Sequence, residues 1–362
     1  MILDCIEKVF HGQDLAVEEA TAAMEEILAG EATATQSSAL LVALAMKGET
    51  EQELLGMARV LRGKTYLFSQ YGPVEVGLCN SERRLLLPNI EGQGSGNAGG
   101  EPGATFNIST ATAFVAAGAG VRLLQQGHRS ANSDLESARV LEALGINTRL
   151  PVWKIARGVA EVGLGFVFEP VISQAMEQLS FAYREIPVPT AFQLLLPMLD
   201  PGGAPGLVIG VHSARMTETV GRVVAQLGVR RAFVFHGSDG LDEITNTGPT
   251  TLVEVREGQI SVSQIQPGEF GFPVVRLEEL AGGDASQCAA HNAEMIRSIL
   301  QGETGPRRHV VLLNAAPVIV CAGKAQDLAE GVKLAGEAID SGRALHVLER
   351  MAAFSQQSEP RQ

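Results

Sequence analysis

No stretch of about eighteen apolar residues occurs in this 362-residue chain, so nothing in it reads as a membrane span. Met1 to Lys8 carries acids and lacks a basic region followed by an apolar run, so no signal peptide is expected and the cytoplasm is the expected compartment. Cysteine is sparse. Cys5, Cys79, Cys288 and Cys321 are scattered, which excludes a disulfide framework. Cys288 and His291 form a Cys-x-x-His without a second pair, which reads as a helix surface rather than a zinc site. Basic residues are also in deficit. Lys and Arg number 28 against 41 Asp and Glu, giving a net charge of −13, which argues against duplex nucleic acid as a partner. Anionic small ligands remain open, because a glycine-rich loop or a metal binds phosphate without net positive charge. With 45% hydrophobic and 19% charged residues, the chain has enough apolar surface for a sizeable core. Its length suits two domains, or one large α/β unit with a small helical piece.

The first 70 residues read as three or four short helices with no strand. Leu15 to Leu28 places apolar residues at helical spacing and Gly30 stops it. Thr35-Gln-Ser-Ser caps a buried helix from Ala39 that Gly48 ends, and Glu51 to Leu61 is a further amphipathic series. From about residue 85 the pattern alternates. Short strands are expected at Leu85 to Ile90, Val121 to Leu124, Leu207 to Val211, Arg231 to Phe235, Thr251 to Val255 and His309 to Leu313, with helices at Ser109 to Gly120 and Ser137 to Leu144. That alternation predicts an α/β fold: a small N-terminal helical domain over 1–70, joined by a later segment near 172–195, and a larger domain over 71–355 with a mostly parallel central sheet and a cleft between the two. The prolines between Ile186 and Pro205 predict a hinge or crossover, and 356–362 reads as a frayed tail.

Six glycines fall within Gly92 to Gly103, between an expected strand and a helix that opens Thr105-Phe-Asn-Ile-Ser-Thr. Glycine lets backbone approach a ligand, and a helix N-terminus offers unpaired N–H groups. Asn107, Ser109 and Thr110 add side-chain donors. This is either a phosphate cradle or an ordinary surface loop ahead of a capped helix, and the spacing matches neither the P-loop nor a dinucleotide fingerprint.

Ala45-Met-Lys-Gly-Glu-Thr, Thr105-Phe-Asn-Ile-Ser-Thr-Ala-Thr-Ala-Phe-Val-Ala-Ala, Gly127-x-Arg129, Val140-Leu-Glu-Ala-Leu-Gly, Gly240-Leu-Asp-Glu-Ile, Leu313-Asn-Ala and Glu330-Gly-Val run in collinear order from about residue 5 to 355. In this order they resemble the anthranilate phosphoribosyltransferase family, whose relatives include pyrimidine and thymidine phosphorylases. The resemblance implies a homodimer formed through the helical domains. It also implies transfer of ribose 5-phosphate from phosphoribosyl diphosphate to a small aromatic or heterocyclic amine, with Mg²⁺. Asn107, Ser109 and Thr110 keep the family's diphosphate and metal contacts, and Asp242 and Glu243 keep its metal pair. Ser109, Asp242 and Glu243 would serve the metal. Gly92, Gly94, Asn107, Thr110, Gln125, Gly127, Arg129 and Ser133 would line the donor. His128 would face the acceptor or relay a proton, or else merely pack beside the loop.

Other positions depart from the family. Its Gly-Thr-Gly-Gly-Asp loop is here Gly92-Gln-Gly-Ser-Gly with an insertion, and Glu101 stands in for the displaced acid. The lysine that faces the diphosphate is Gln125, and no lysine occurs between Lys64 and Lys154, so a substitute must be Arg122, Arg129 or Arg139. Glu136 stands where a glycine is usual. The arginine that holds the acceptor carboxylate aligns with Tyr183, beside Arg184; an asparagine aligns with His128, a pocket histidine with Ser173 and a glycine with Leu196. Losing a planar donor fork matters most for a carboxylate. Three readings are open, in this order: a phosphoribosyl transferase whose acceptor is not anthranilate; a non-catalytic or regulatory paralogue that binds a ligand; and a true anthranilate phosphoribosyltransferase of tryptophan biosynthesis with a compensated site.

Overall fold

The computed structural model describes residues 1–65, 74–80, 105–127, 137–168, 179, 186, 188–282 and 288–357. Four helices open the chain: α1 (Ile2–Phe10), α2 (Val17–Leu28), α3 (Ala34–Lys47) and α4 (Glu51–Gly63). The cap of α3 is Thr33 rather than the Thr35-Gln-Ser-Ser stretch. Thr33 Oγ1 accepts from the Gln36 N–H at 3.2 Å while Gln36 Oε1 accepts from the Thr33 N–H at 2.8 Å. This reciprocal box satisfies two donors that a helix start leaves open. Gly48, at φ +92°, ends α3 as expected. Thr50 and Glu53 repeat the box at the start of α4. Leu40, Leu41, Leu44, Leu54, Met57 and Ala58 are fully buried between these helices.

The remainder is α/β. Its strands are β1 (Val76–Asn80), β2 (Leu123–Gly127), β3 (Leu164–Phe168), β4 (Gly206–Gly210), β5 (Arg231–Gly237), β6 (Thr250–Arg256) and β7 (Gln259–Ile265). They form one sheet in the order β3-β2-β1-β4-β5-β6-β7 among the described residues. β1 to β5 are parallel, and β6 and β7 close one side as an antiparallel hairpin. The chain builds outward from β1 to β3, then returns past β1 to lay down β4. Such a reversal opens a crevice outside the carboxyl ends of the strands at β1 and β4, where doubly wound sheets bind ligands. β3 and β4 are buried at every position, as parallel strands covered on both faces must be.

The covering helices include α5 (Ile108–Gly118), α6 (Ser137–Ala143), α7 (Val152–Val162), α8 (Ala191–Leu195) and α9 (Ala214–Gln226), then α10 (Cys288–Leu300), α11 (Pro306–Cys321), α12 (Leu328–Asp340) and α13 (Arg343–Gln356). No helix among the described residues is long and apolar enough to cross a membrane.

Sequence reading missed three strands, β1, β3 and β7, and placed β2 two residues early. It also put a strand at His309 to Leu313, where the structure has the middle of α11. α11 packs on α5, α12 and β4, and Val310 to Val320 are all buried. A helix buried all round has no polar face, so its apolar run imitates a strand, and only its length of 16 residues tells the two apart. The expected strand at Leu85 to Ile90 lies outside the described residues. The proline-rich stretch holds α8 and a 3₁₀ turn at Leu196–Met198, all buried, with α8 against α3 and α4.

Arg62 ties the helical bundle to the sheet. Its guanidinium donates to the Leu227 carbonyl at 3.2 Å and to Asp200 Oδ2 at 3.3 Å. Asp200 is 1% exposed and sits at φ +43°. Burial pushes its carboxyl up to about 6, against the opposing pull of the Ala204 N–H and of Arg62. A carboxyl raised in the folded state contributes stability below its unfolded value of 3.8 and loses it as pH rises through about 6. Asparagine tolerates positive φ and cannot ionise. The melting temperature of Asp200→Asn relative to the parent should therefore climb between pH 4 and pH 7; a constant difference across that range would remove this assignment.

Candidate functional site

The loops that leave the carboxyl ends of the parallel strands build the crevice edge. β5 ends at Gly237, and the loop Ser238 to Pro249 carries Asp242 and Glu243. Glu243 is 8% exposed and Asp242 half-buried. The loop is heavily bonded. Asp239 Oδ2 accepts from the Thr245 and Thr247 hydroxyls at 2.5 and 2.6 Å, and Oδ1 accepts from the Leu241 N–H at 3.1 Å. A Cβ on Gly237 would lie 2.5 Å from Asp239 Oδ1, so only glycine admits this carboxylate against the strand end. Asn314, from α11, donates to the Ile244 carbonyl at 2.7 Å and accepts from the Ile244 N–H at 2.8 Å.

α5 comes after β1 in a crossover to the parallel strand β2, so its N-terminus lies at the same carboxyl edge. Asn107 is its N-cap, but the side chain makes no cap bond. Asn107 Oδ1 instead accepts from Asn292 Nδ2, on α10, at 3.0 Å. Ser109 is half-buried. Thr110 is fully buried and its hydroxyl has no hydrogen-bond partner, an orphaned polar atom in the first turn of the helix. Both loops lean on one helix, since α11 packs on α5 and its Asn314 holds the loop after β5.

Gln125 lies within β2, paired in register with Leu78 and Phe166, two residues short of the carboxyl end. It is 5% exposed, and its Oε1 is also without a partner. Gly127 closes the strand; a Cβ there would meet the Phe168 ring at 2.5 Å. Arg122 is not a substitute for the missing lysine. It lies just before β2, at the opposite edge of the sheet, where its guanidinium and its N–H both engage the Glu75 carboxylate at 3.1 and 2.9 Å. Arg139 is on α6. Leu196 is buried in its 3₁₀ turn. Gly92, Gly94, Glu101, His128, Arg129, Ser133, Glu136, Ser173, Tyr183 and Arg184 lie outside the described residues.

The structure thus places Asn107, Ser109, Thr110, Asp242 and Glu243 on one edge, with Gln125 and Gly127 in the strand leading to it. Sequence reading missed Asp239, Asn292 and, as a structural part, Asn314. Asp239 was visible as the acid of a Ser-Asp-Gly turn, and Asn314 as a lone amide within an apolar run. Among the described residues no group of three or more His, Cys, Asp or Glu side chains is placed to hold a metal. An ion at Asp242 and Glu243 would share its shell with ligand oxygens and water, the usual arrangement for Mg²⁺.

Family models described as the helical bundle domain and the α/β domain of a glycosyl transferase family match residues 3–65 and 95–345. The chain is 42% identical to an anthranilate phosphoribosyltransferase of Syntrophotalea carbinolica, over 98% of this chain and all of that one. It is 43% identical to one of Moorella thermoacetica, over 96% and 97% of the two chains. The crystal structure of the Thermus thermophilus anthranilate phosphoribosyltransferase superposes with a TM-score of 0.82 at 33% identity, covering 98% of this chain and 100% of that one. A Saccharomyces cerevisiae enzyme of that name, in complex with phosphoribosyl diphosphate and Mg, shares the fold at a TM-score of 0.79 and 21% identity, covering 98% and 97% of the two chains.

Proposed function

Since the chain belongs to the glycosyl transferase family that contains the anthranilate phosphoribosyltransferases, we propose that it moves the phosphoribosyl group of phosphoribosyl diphosphate onto the amino nitrogen of a small aromatic acceptor. The observation that carries this reading is the braced Asp242–Glu243 pair at the same sheet edge as the N-terminus of α5. In the reaction the amine lone pair forms the bond to the anomeric carbon, the bond to diphosphate breaks with its electron pair, and the amine proton leaves to water or to His128.

The chain's own residues supply placement rather than a nucleophile. The first-turn N–H groups of α5 and the Ser109 and Thr110 hydroxyls would donate to phosphate oxygens, and the family resemblance assigns Gly92 and Gly94 to the same ligand. Asp242 and Glu243, with Ser109, would hold Mg²⁺, whose charge would offset that of the diphosphate. Gln125 stands where the family has a lysine, and losing that charge-assisted contact weakens the donor grip by about 1.5–3 kcal/mol. The family resemblance also assigns Arg129 and Ser133 to the donor, and we assign the reaction to the cytoplasm.

The names of the relatives support anthranilate as acceptor. A second reading, a different aromatic or heterocyclic amine, is favoured by Tyr183 where the family has its carboxylate-binding arginine, together with the departures from the family at His128, Ser173 and Leu196. Titration calorimetry with phosphoribosyl diphosphate and Mg²⁺ tests the common part: micromolar, metal-dependent heat is expected, and silence at millimolar ligand would leave the non-catalytic paralogue. Loss of anthranilate fluorescence on adding the acceptor then separates the two acceptors. The same reading includes a homodimer through the helical unit. Leu3, Phe10 and Met46, on the mutually packed α1 and α3, are 61, 77 and 84% exposed, an apolar set that a second copy would cover. A monomer mass by light scattering would remove that part.

A further inference from the structure

We infer that Asn314 and Asp239 are positioning residues that brace the loop on both sides of Asp242 and Glu243, so that the two carboxylates meet a divalent cation without rearranging. The inference rests on the proposed assignment of that pair to metal.

Asn314 is 2% exposed within the buried run Val310 to Val320, whose other residues are all apolar. A buried amide costs free energy unless it is bonded, and this one is bonded on both atoms. Its Nδ2 donates to the Ile244 carbonyl at 2.7 Å and to the Val310 carbonyl of its own helix at 2.8 Å, while its Oδ1 accepts from the Ile244 N–H at 2.8 Å. The bond to Val310 fixes the amide plane. The two bonds to Ile244 reproduce the exchange of a paired strand and pin both peptide planes around the residue after Glu243.

Asp239 holds the other side. Its carboxylate takes the Leu241 N–H at 3.1 Å, directly before Asp242, and the Thr245 and Thr247 hydroxyls at 2.5 and 2.6 Å, beyond Ile244. The Leu241 carbonyl in turn accepts from the Gly237 N–H at 2.8 Å. Fixed points at 241, 244 and 245 restrict the backbone of 242 and 243 from both sides. Neither Asn314 nor Asp239 need touch the ion; each acts through the backbone that carries the ligands, the role of an outer shell.

Mn²⁺ titration of the full chain, followed by electron paramagnetic resonance in the presence of phosphoribosyl diphosphate, tests this without reading activity. The parent should bind Mn²⁺, and Asp242→Ala/Glu243→Ala should not. Asn314→Leu and Asp239→Ala should each weaken Mn²⁺ by about 10–100-fold and speed amide exchange at residues 241–245. If Asn314→Leu fails to fold, Thr247→Val, which removes one donor to Asp239, should still weaken Mn²⁺ several-fold. Folded variants that lose thermal stability but bind Mn²⁺ like the parent would make these residues merely structural and overturn the inference, leaving the metal pair intact. Equal Mn²⁺ binding by the parent and Asp242→Ala/Glu243→Ala would overturn the metal assignment itself.

Discussion

Asp242→Asn combined with Glu243→Gln lowers magnesium-supported phosphoribosyl transfer by on the order of 10²–10⁴ while the melting temperature stays within a few degrees of the parent. The size reflects two charge-assisted contacts of about 1.5–3 kcal/mol each. The amides keep the shape and the neutral hydrogen bonding of the acids, so what is lost is negative charge facing a divalent ion. Most of the stability is kept because other side chains also hold the loop. It hangs on Asp239, Thr245, Thr247 and Asn314, none of which changes. Raising Mg²⁺ should recover part of the loss, since weaker coordination shifts the ion's binding curve. Steady-state rates at several Mg²⁺ concentrations measure it. Unaltered rates and Mg²⁺ dependence would move the ion elsewhere.

The pair proposed for the metal stood out in the sequence because Gly240-Leu-Asp-Glu-Ile is contiguous and collinear with the family. The brace around it did not, because Asn314 reaches Ile244 across 70 positions of chain, and no local pattern records such a contact. The helical unit was readable for the same reason in reverse. Its caps and apolar spacing are local, so α2, α3 and α4 came out within a few residues, although the cap of α3 moved to Thr33. The sheet was harder. β3, which was missed, is buried throughout and shows no alternation, and α11 is buried from Val310 to Val320 and shows no amphipathic face there. Without periodicity, strand and helix are distinguished only by length and packing partners, and the partners are tertiary facts. Gln125 is the instructive case. Sequence shows that a neutral residue stands where a lysine is usual; the structure adds that it is buried in β2 with an unpaired carbonyl oxygen, which solvent does not reach.

Glu53→Ala costs about 3–5 kcal/mol of stability. Glu53 is fully buried at the start of α4. Its carboxylate accepts from the Leu15 N–H at 2.9 Å, the Thr50 N–H at 2.8 Å and the Lys47 ammonium at 3.1 Å. Lys47 also donates to Asp14 at 2.7 Å and to the Gly48 carbonyl at 2.9 Å. Burial alone would depress the Lys47 ammonium; the hydrogen bonds to Asp14 and Glu53 outweigh it and hold the group above its ordinary value. A raised lysine contributes stability that is fully present below its unfolded value and is lost only as pH rises through the higher folded one, so the network is intact at neutral pH. Alanine at 53 leaves two backbone donors and part of a buried cation without acceptors at once. Lys47→Met should cost less, because Glu53 keeps both backbone donors, and Lys47→Met/Glu53→Leu should cost less than the sum of the single changes, since the partners share one network. Urea unfolding of the three variants measures this; a loss under about 1 kcal/mol for Glu53→Ala would show the turn to be held by apolar packing instead. The consequence extends past stability. The turn joining α3 to α4 borders Arg215 in the first turn of α9, with a Cβ at Gly48 falling 3.6 Å from that guanidinium, and α9 begins just after the carboxyl end of β4. The buried Lys47–Glu53 pair therefore fixes the edge of the helical unit that stands next to the crevice, and loosening it should weaken phosphoribosyl diphosphate binding even in the folded fraction.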